Sequence, residues 1–216
     1  PGLAPARGPG RRRPMTTKLY GFPMSPNSRR AQLALEEVGA PYVYVTVDLM
    51  QGQNRAPEHL ALNPNAKVPV LVDDDVVLWE SHAILLYLAA KHPEKRLGGE
   101  SPAEIGAVAK WCFLNASHLG PALAGLFAHS IRLPEDKRVP QIAENGRAEA
   151  TRIFAVLDDA LRDRTWLAGD RFTLADLSLG PNVLFAPMLG FDLASYPNVA
   201  AWAKRLGERP SFKKVM

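Results

Sequence analysis

Residues 63–92, "NPNAKVPVLVDDDVVLWESHAILLYLAAKH", decide the fold. Two β-rich runs flank an Asp-rich turn, which reads as a hairpin, and "SHAILLYLAAKH" after it reads as a helix. Pro69 cannot donate to a sheet ladder, so on its own "KVPVL" reads as the start of an edge strand with an ordinary trans bond. Upstream, "TKLYGF" (17–22) is a short strand. Pro26 to Val38 is a helix with Ala31, Ala34, Leu35 and Val38 on one face and Gly39 as its stop. "YVYVTVD" (42–48) alternates as a strand, and "QGQNRAPEHL" (51–60) reads as a polar loop. The order β-α-β, loop, β-β-α predicts a small α/β domain.

Beyond "HPEKRLGGESP" (92–102) the strand signals stop. Helical patterns fill about 102–130, 139–162, 174–188 and 197–208, separated by Pro and Gly. The predicted architecture is therefore α/β plus all-α: residues 15–92 form the first domain, 93–101 a linker and 102–216 a helical domain. No internal repeat is present. Thr173 and Asp176 in "FTLADLSL" have the spacing of a capping box and are read as structural.

The 216 residues carry 26 Lys and Arg against 22 Asp and Glu. Arg7, Arg11, Arg12 and Arg13 account for the whole excess, so the body of the chain is neutral and neither nucleic acid nor a membrane is an expected partner. Residues 1–14, "PGLAPARGPGRRRP", lack hydrophobic periodicity and read as a disordered basic extension. No apolar run approaches bilayer length and nothing is shaped like a secretory signal, so a cytoplasmic location is expected. The single cysteine, Cys112, excludes an internal disulfide and a CxxC pair and reads as a small buried hydrophobe.

Several polar residues have simple local readings. Ser25 before Pro26 is a helix N-cap pattern, and Glu80-Ser81 has the pattern of a cap with an acid near the helix start. Arg55 and Lys67 read as solvated surface.

Three stretches carry a family resemblance: "SPNSRRAQLALEEVGAPY", "LALNPNAKVPVLVDDDVVLWESHAILLYLA" and "FTLADLSL". They resemble the cytosolic glutathione transferases, bacterial-type and with a serine-class site similar to phi, theta and nu members, over almost everything from Met15 to Met216. The resemblance implies a thioredoxin-like first domain and a helical-bundle second domain. It also implies a homodimer whose small domain packs on the partner's helical domain.

The implied activity is attack of glutathione, as thiolate, on a hydrophobic electrophile. Glutathione is the co-substrate and no metal is needed. A free thiol with pKa about 8.5 is only a few per cent ionised at pH 7, and lowering that by roughly two units needs about 2.7 kcal/mol. A hydroxyl can accept a cap bond and still donate to sulfur, so the resemblance makes Ser25 both cap and activator. Asn27 is the second candidate, because "SPNS" also resembles the loop of relatives that reduce disulfides.

The other implied glutathione contacts are Val68 and Pro69, through a cis bond that exposes the Val68 peptide, and Glu80 and Ser81 at the γ-glutamyl end. Asn54, Arg55 and Lys67 are implied at the glycine carboxylate. Phe22, Met24, Trp111, Asn115, His118, Phe185 and Met188 are candidate walls for the electrophile, with core packing as the competing reading. Two alternative functions stand beside conjugation: glutathione-dependent disulfide or peroxide reduction, and a non-catalytic binding module.

Overall fold

The computed structural model describes residues 17–216; the basic stretch 1–14 lies outside the described residues. Four strands, β1 (Thr17–Gly21), β2 (Tyr42–Thr46), β3 (Val70–Asp73) and β4 (Val76–Trp79), form one sheet in the order β2-β1-β3-β4. β1 and β2 are parallel, while β3 runs antiparallel to both β1 and β4. Leu19 and Leu71 face each other at the sheet centre, both fully buried. Burying such a leucine contributes about 1.5–3 kcal/mol.

α1 (Pro26–Val38) and α3 (Ser81–Lys91) pack together against this sheet. Ala31, Ala34, Leu35 and Val38 are all buried, and Gly39 ends α1 at φ 73°, where a side chain would be strained. The hairpin turns at Asp74, φ 60°, a conformation Asp tolerates better than most residues. The first half thus has the thioredoxin-like β-α-β-α-β-β-α order and the second half is helical, the architecture expected.

The helical half comprises α4 (Pro102–Leu114), α5 (Gly120–Phe127), α6 (Pro140–Leu161), α7 (Leu174–Phe185), α8 (Pro197–Glu208) and α9 (Pro210–Val215). Phe154, Leu174, Leu177, Trp202 and Leu206 form its fully buried centre. Gly146 lets α6 approach α5: a Cβ there would sit 2.5 Å from the Ala122 carbonyl oxygen. α7 packs on α1 and α4, so the helical half rests directly on the first helix. No helix among the described residues is long and apolar enough to cross a membrane.

Four details depart from the sequence reading. The polar loop after β2 contains a 3-10 turn (Gln53–Arg55) and a short helix, α2 (Pro57–Leu62), whose buried residue is His59 rather than an aliphatic side chain. The helix expected over about 102–130 is two α-helices separated and ended by π-turns, Asn115–Leu119 and Ala128–Arg132. Pro121 has no N–H to continue the ladder, and the Gly120 N–H donates instead to Asn115 O. The fourth helical pattern continues past Arg209 into α9. Finally, Ser81 does not cap α3: Glu80 occupies that position at φ 69°, without a side-chain cap bond, and Ser81 is the first helical residue.

Candidate active site

Sheet register brings the candidate residues to one end. Gly21 pairs with Thr46, Tyr20 with Val70 and Val70 with Trp79. The segments leaving β1, leaving β2, entering β3 and leaving β4 therefore all emerge at the same end of the sheet. They carry, respectively, Phe22 to Asn27, Asn54 and Arg55, Lys67 to Pro69, and Glu80 and Ser81.

The first of these loops is tied at both ends. Phe22 N–H donates to Ser28 Oγ at 3.1 Å, Ser25 N–H to Phe22 O at 2.9 Å and Arg29 Nε to Pro23 O at 2.7 Å. Ser25 sits at φ −83°, ψ 120° as the N-cap of α1, and its Oγ accepts the Ser28 N–H at 3.4 Å. That bond is long, and it uses an acceptor site only, so the half-buried hydroxyl keeps its proton for another partner. The positive end of α1 lies beside it.

The segment before β3 is clamped from behind. Asn54 Nδ2 donates to Ala66 O at 2.7 Å, Asn63 Nδ2 to Lys67 O at 2.8 Å and His59 Nε2 to the same carbonyl at 3.0 Å. Nε2 of His59 therefore carries a proton, since a carbonyl oxygen can only accept. The Val68-Pro69 bond is cis. Strand pairing begins at Val70, so the Val68 peptide lies outside the ladder. The structure thus gives Asn54 a backbone partner within the chain, while Arg55 and Lys67 are exposed.

Glu80, also exposed, holds a left-handed backbone that costs an ordinary residue about 1–3 kcal/mol. This conformation turns the chain sharply from β4 into α3 and sets Ser81 at the helix start. Ser81 is 5% exposed, and its Oγ accepts Arg30 Nη1 at 2.8 Å.

Arg30 is the residue that the sequence reading missed. It lies on α1, one turn past Ser25, where a helical face otherwise full of alanine and leucine gave no reason to bury a cation. Its Nη1 also donates to Asn27 Oδ1 at 2.6 Å, its Nε to Ser178 O at 2.9 Å and its Nη2 to Asn182 Oδ1 at 2.6 Å. Asn27 and Ser81 are thereby joined through one guanidinium nitrogen. His82 continues this network, its Nε2 2.7 Å from Ser178 Oγ. Burial, then the nearby Arg30 charge, pushes the His82 pKa down to about 3, so the ring is neutral. The signal available in sequence was the helical spacing of Asn27 and Arg30 together with two polar residues, Ser178 and Asn182, on an apolar helix.

The candidate electrophile walls separate. Phe22 is half-buried in the first loop, and Met24 and Met188 are exposed. Trp111 packs in the hydrophobic core, and Asn115, with no exposed surface, donates to Ser178 O at 2.5 Å. His118 turns to α6, 3.4 Å from Glu149, in a groove with Ser117, Ile142 and Asn145. Phe185 packs edge-on to Phe127, ring centroids 5.6 Å apart. Cys112 is buried, and burial pushes its thiol up to about 11. Among the described residues no three His, Cys, Asp or Glu side chains converge as a metal site would require.

Family models for the glutathione S-transferase N-terminal and C-terminal domains match residues 15–90 and 118–210. Glutathione S-transferase GstB of Escherichia coli (strain K12) is 34% identical over 200 residues, 92% of this chain and 96% of its own. A theta class glutathione S-transferase from the citrus canker pathogen Xanthomonas axonopodis pv. citri, solved with glutathione bound, superimposes with a TM-score of 0.83. It is 31% identical over 93% of this chain and 97% of that one. A structure of Ure2p in complex with glutathione aligns with a TM-score of 0.88 at 28% identity, covering 95% of this chain and all of that one. By sequence and by fold, the chain belongs to the glutathione S-transferase family.

Proposed function

We propose that this protein is a glutathione transferase in which Ser25 holds the bound thiol as thiolate for attack on a hydrophobic electrophile. One observation carries the assignment to Ser25: its hydroxyl sits at the N-terminus of α1 with its acceptor side engaged and its proton unspent. A donated hydrogen bond and the helix dipole both favour the sulfur anion. Together they supply much of the roughly 2.7 kcal/mol that a two-unit shift requires.

The rest of the peptide has matching groups. The Val68 peptide pairs with the cysteinyl backbone, Glu80 with the ligand ammonium, and Ser81 with the α-carboxylate at the start of α3. Arg55 and Lys67 meet the glycine carboxylate at an exposed rim. Asn54 contributes by holding the Ala66 turn in place. The electrophile lies over Phe22, Met24 and Met188.

In this reading the glutathione domain spans 15–92, the linker 93–101 and the helical domain 102–216. The protein works in the cytoplasm as a homodimer, with exposed Trp79 and Leu86 of the first domain and Phe113 of the second available to an interface. Light scattering at micromolar concentration checks the dimer.

Reduction of disulfides is the second reading, favoured by Asn27. Its Oδ1 is held by Arg30, which turns the amide N–H groups of this exposed residue outward, toward a ligand sulfur. Conjugation of a chlorodinitrobenzene-type substrate, measured beside reduction of a small disulfide in the wild type, Ser25→Ala and Asn27→Ala, decides between them. Conjugation that depends on Ser25 supports the transferase; reduction that depends on Asn27 supports the reductase. Glutathione binding with neither turnover supports a binding module.

A further inference from the structure

Arg30 is 1% exposed, yet none of its four acceptors is a carboxylate. They are a backbone carbonyl, two side-chain amides and a hydroxyl, all neutral. Burying an unpaired charge costs several kcal/mol after all relaxation. The ionisable groups around it do not compensate. His82 is held neutral by burial, and the Cys112 thiol is held protonated in the same way. Burial lowers the Arg30 pKa only to about 10, so the guanidinium remains charged near neutrality. The fold keeps an unneutralised cation directly behind buried Ser81 and exposed Asn27.

Three features at Ser81 favour an anion. Its oxygen already accepts from Arg30, so its own O–H is left to donate outward, polarised by the cation behind it. It is the first residue of α3, an eleven-residue helix whose first-turn N–H groups have no partner within the helix. Asn27, pinned by the same Arg30 nitrogen, presents its amide N–H groups beside it.

We propose that Arg30 is a positioning residue for glutathione, supplying through Ser81 and Asn27 the counter-charge for the α-carboxylate of the γ-glutamyl group. This rests on the glutathione reading above. Arg30 does not touch the ligand; it fixes the donors that do and completes its own charge balance when the carboxylate arrives. Binding is thereby linked to the packing of the two halves, since the same guanidinium holds Ser178 and Asn182 of α7.

The test uses two ligands that differ in one charge: glutathione and its analogue with the γ-glutamyl α-carboxylate replaced by a carboxamide. Calorimetric titration of the wild type should show a preference for glutathione of about tenfold or more. Arg30→Met should abolish that preference while leaving affinity for the carboxamide within about threefold of the wild type. Arg30→Lys, which keeps the charge, should retain a preference. A purely structural role would weaken both ligands in proportion, so a folded Arg30→Met protein with an unchanged preference overturns the proposal. Should the methionine variant not fold, the lysine variant decides: loss of its preference refutes a counter-charge role, and retention supports it. Failure of the wild type to bind glutathione at all would instead refute the underlying functional reading.

Discussion

The indole N–H of Trp202 on α8 donates to Asp176 Oδ1 at 2.9 Å, and both residues are fully buried. The same carboxylate accepts Leu167 N–H at 3.1 Å, Thr173 N–H at 3.0 Å and the Thr173 hydroxyl at 3.4 Å. Asp176 therefore ties the capping box of α7 to the loop before it and to α8. Burial pushes its pKa up, while every partner is a donor that favours the ionised form.

Asp176→Ala would strand these buried donors, each costing about 1–3 kcal/mol. A loss of about 3–5 kcal/mol in urea unfolding is expected. A loss below about 1 kcal/mol would show that water replaces the carboxylate and that the tie is not structural.

Ser25→Ala should separate chemistry from stability. The cap bond is long, so removing it should cost about 1 kcal/mol or less. Thiolate absorbance of bound glutathione should shift upward in pH by about one to two units, with conjugation at neutral pH falling about ten- to hundredfold. An unchanged thiol pKa removes Ser25 from the activating role.

Glu80→Gly should stabilise the fold and weaken the site together. Glycine adopts φ 69° freely, so relief of backbone strain should raise stability by about 1 kcal/mol. Loss of the carboxylate leaves the ligand ammonium poorly paired, and glutathione affinity should drop more than in Arg55→Ala or Lys67→Ala. The two rim variants should each cost about 1 kcal/mol or less and lose their effect in high salt. If Arg55→Ala is the most damaging at any salt, the peptide binds in the opposite orientation.

His82 sets an acid limit on stability. Its native pKa lies near 3 and the unfolded value near 6.5, so between these the unfolded chain binds a proton that the native protein refuses. Stability from this residue is complete above about pH 6.5 and declines as pH falls, by about 1.4 kcal/mol per unit at most. Partial exposure of the ring reduces this, so about 1–2 kcal/mol should be lost between pH 7 and pH 5. Unfolding of His82→Asn, which cannot titrate, should show a flatter acid limb. Parallel limbs for the two proteins would assign the acid sensitivity elsewhere.

Much of this fold is legible in local pattern. The apolar face of α1, its serine and proline start and its glycine stop are all short-range signals, as are the Asp-rich hairpin turn and the Thr173-Asp176 box. The misses have local causes too. α2 is six residues long and buries a histidine, so it offered no apolar stripe, and the break at Asn115–Leu119 follows from one proline within a helical pattern. For the site, the resemblance supplied the roles proposed for Ser25, Val68, Glu80 and Ser81. Their own residue types indicated only caps, a strand start and surface.

By itself the sequence determined all four strands and most of the helices, because periodicity, caps and turn residues act over a few residues and need no distant partner. Only the tertiary structure decided what the polar groups do. Hydrogen bonds and charge compensation depend on which side chains arrive at the same point in space. Ser178 and Asn182 reach Arg30 across about 150 residues of chain, at separations of 148 and 152. No local pattern could mark Arg30 as the buried cation beneath Ser81, because only one of its four acceptors, Asn27, is on its own helix; Ser81 is on α3, and Ser178 and Asn182 are in the other half of the protein.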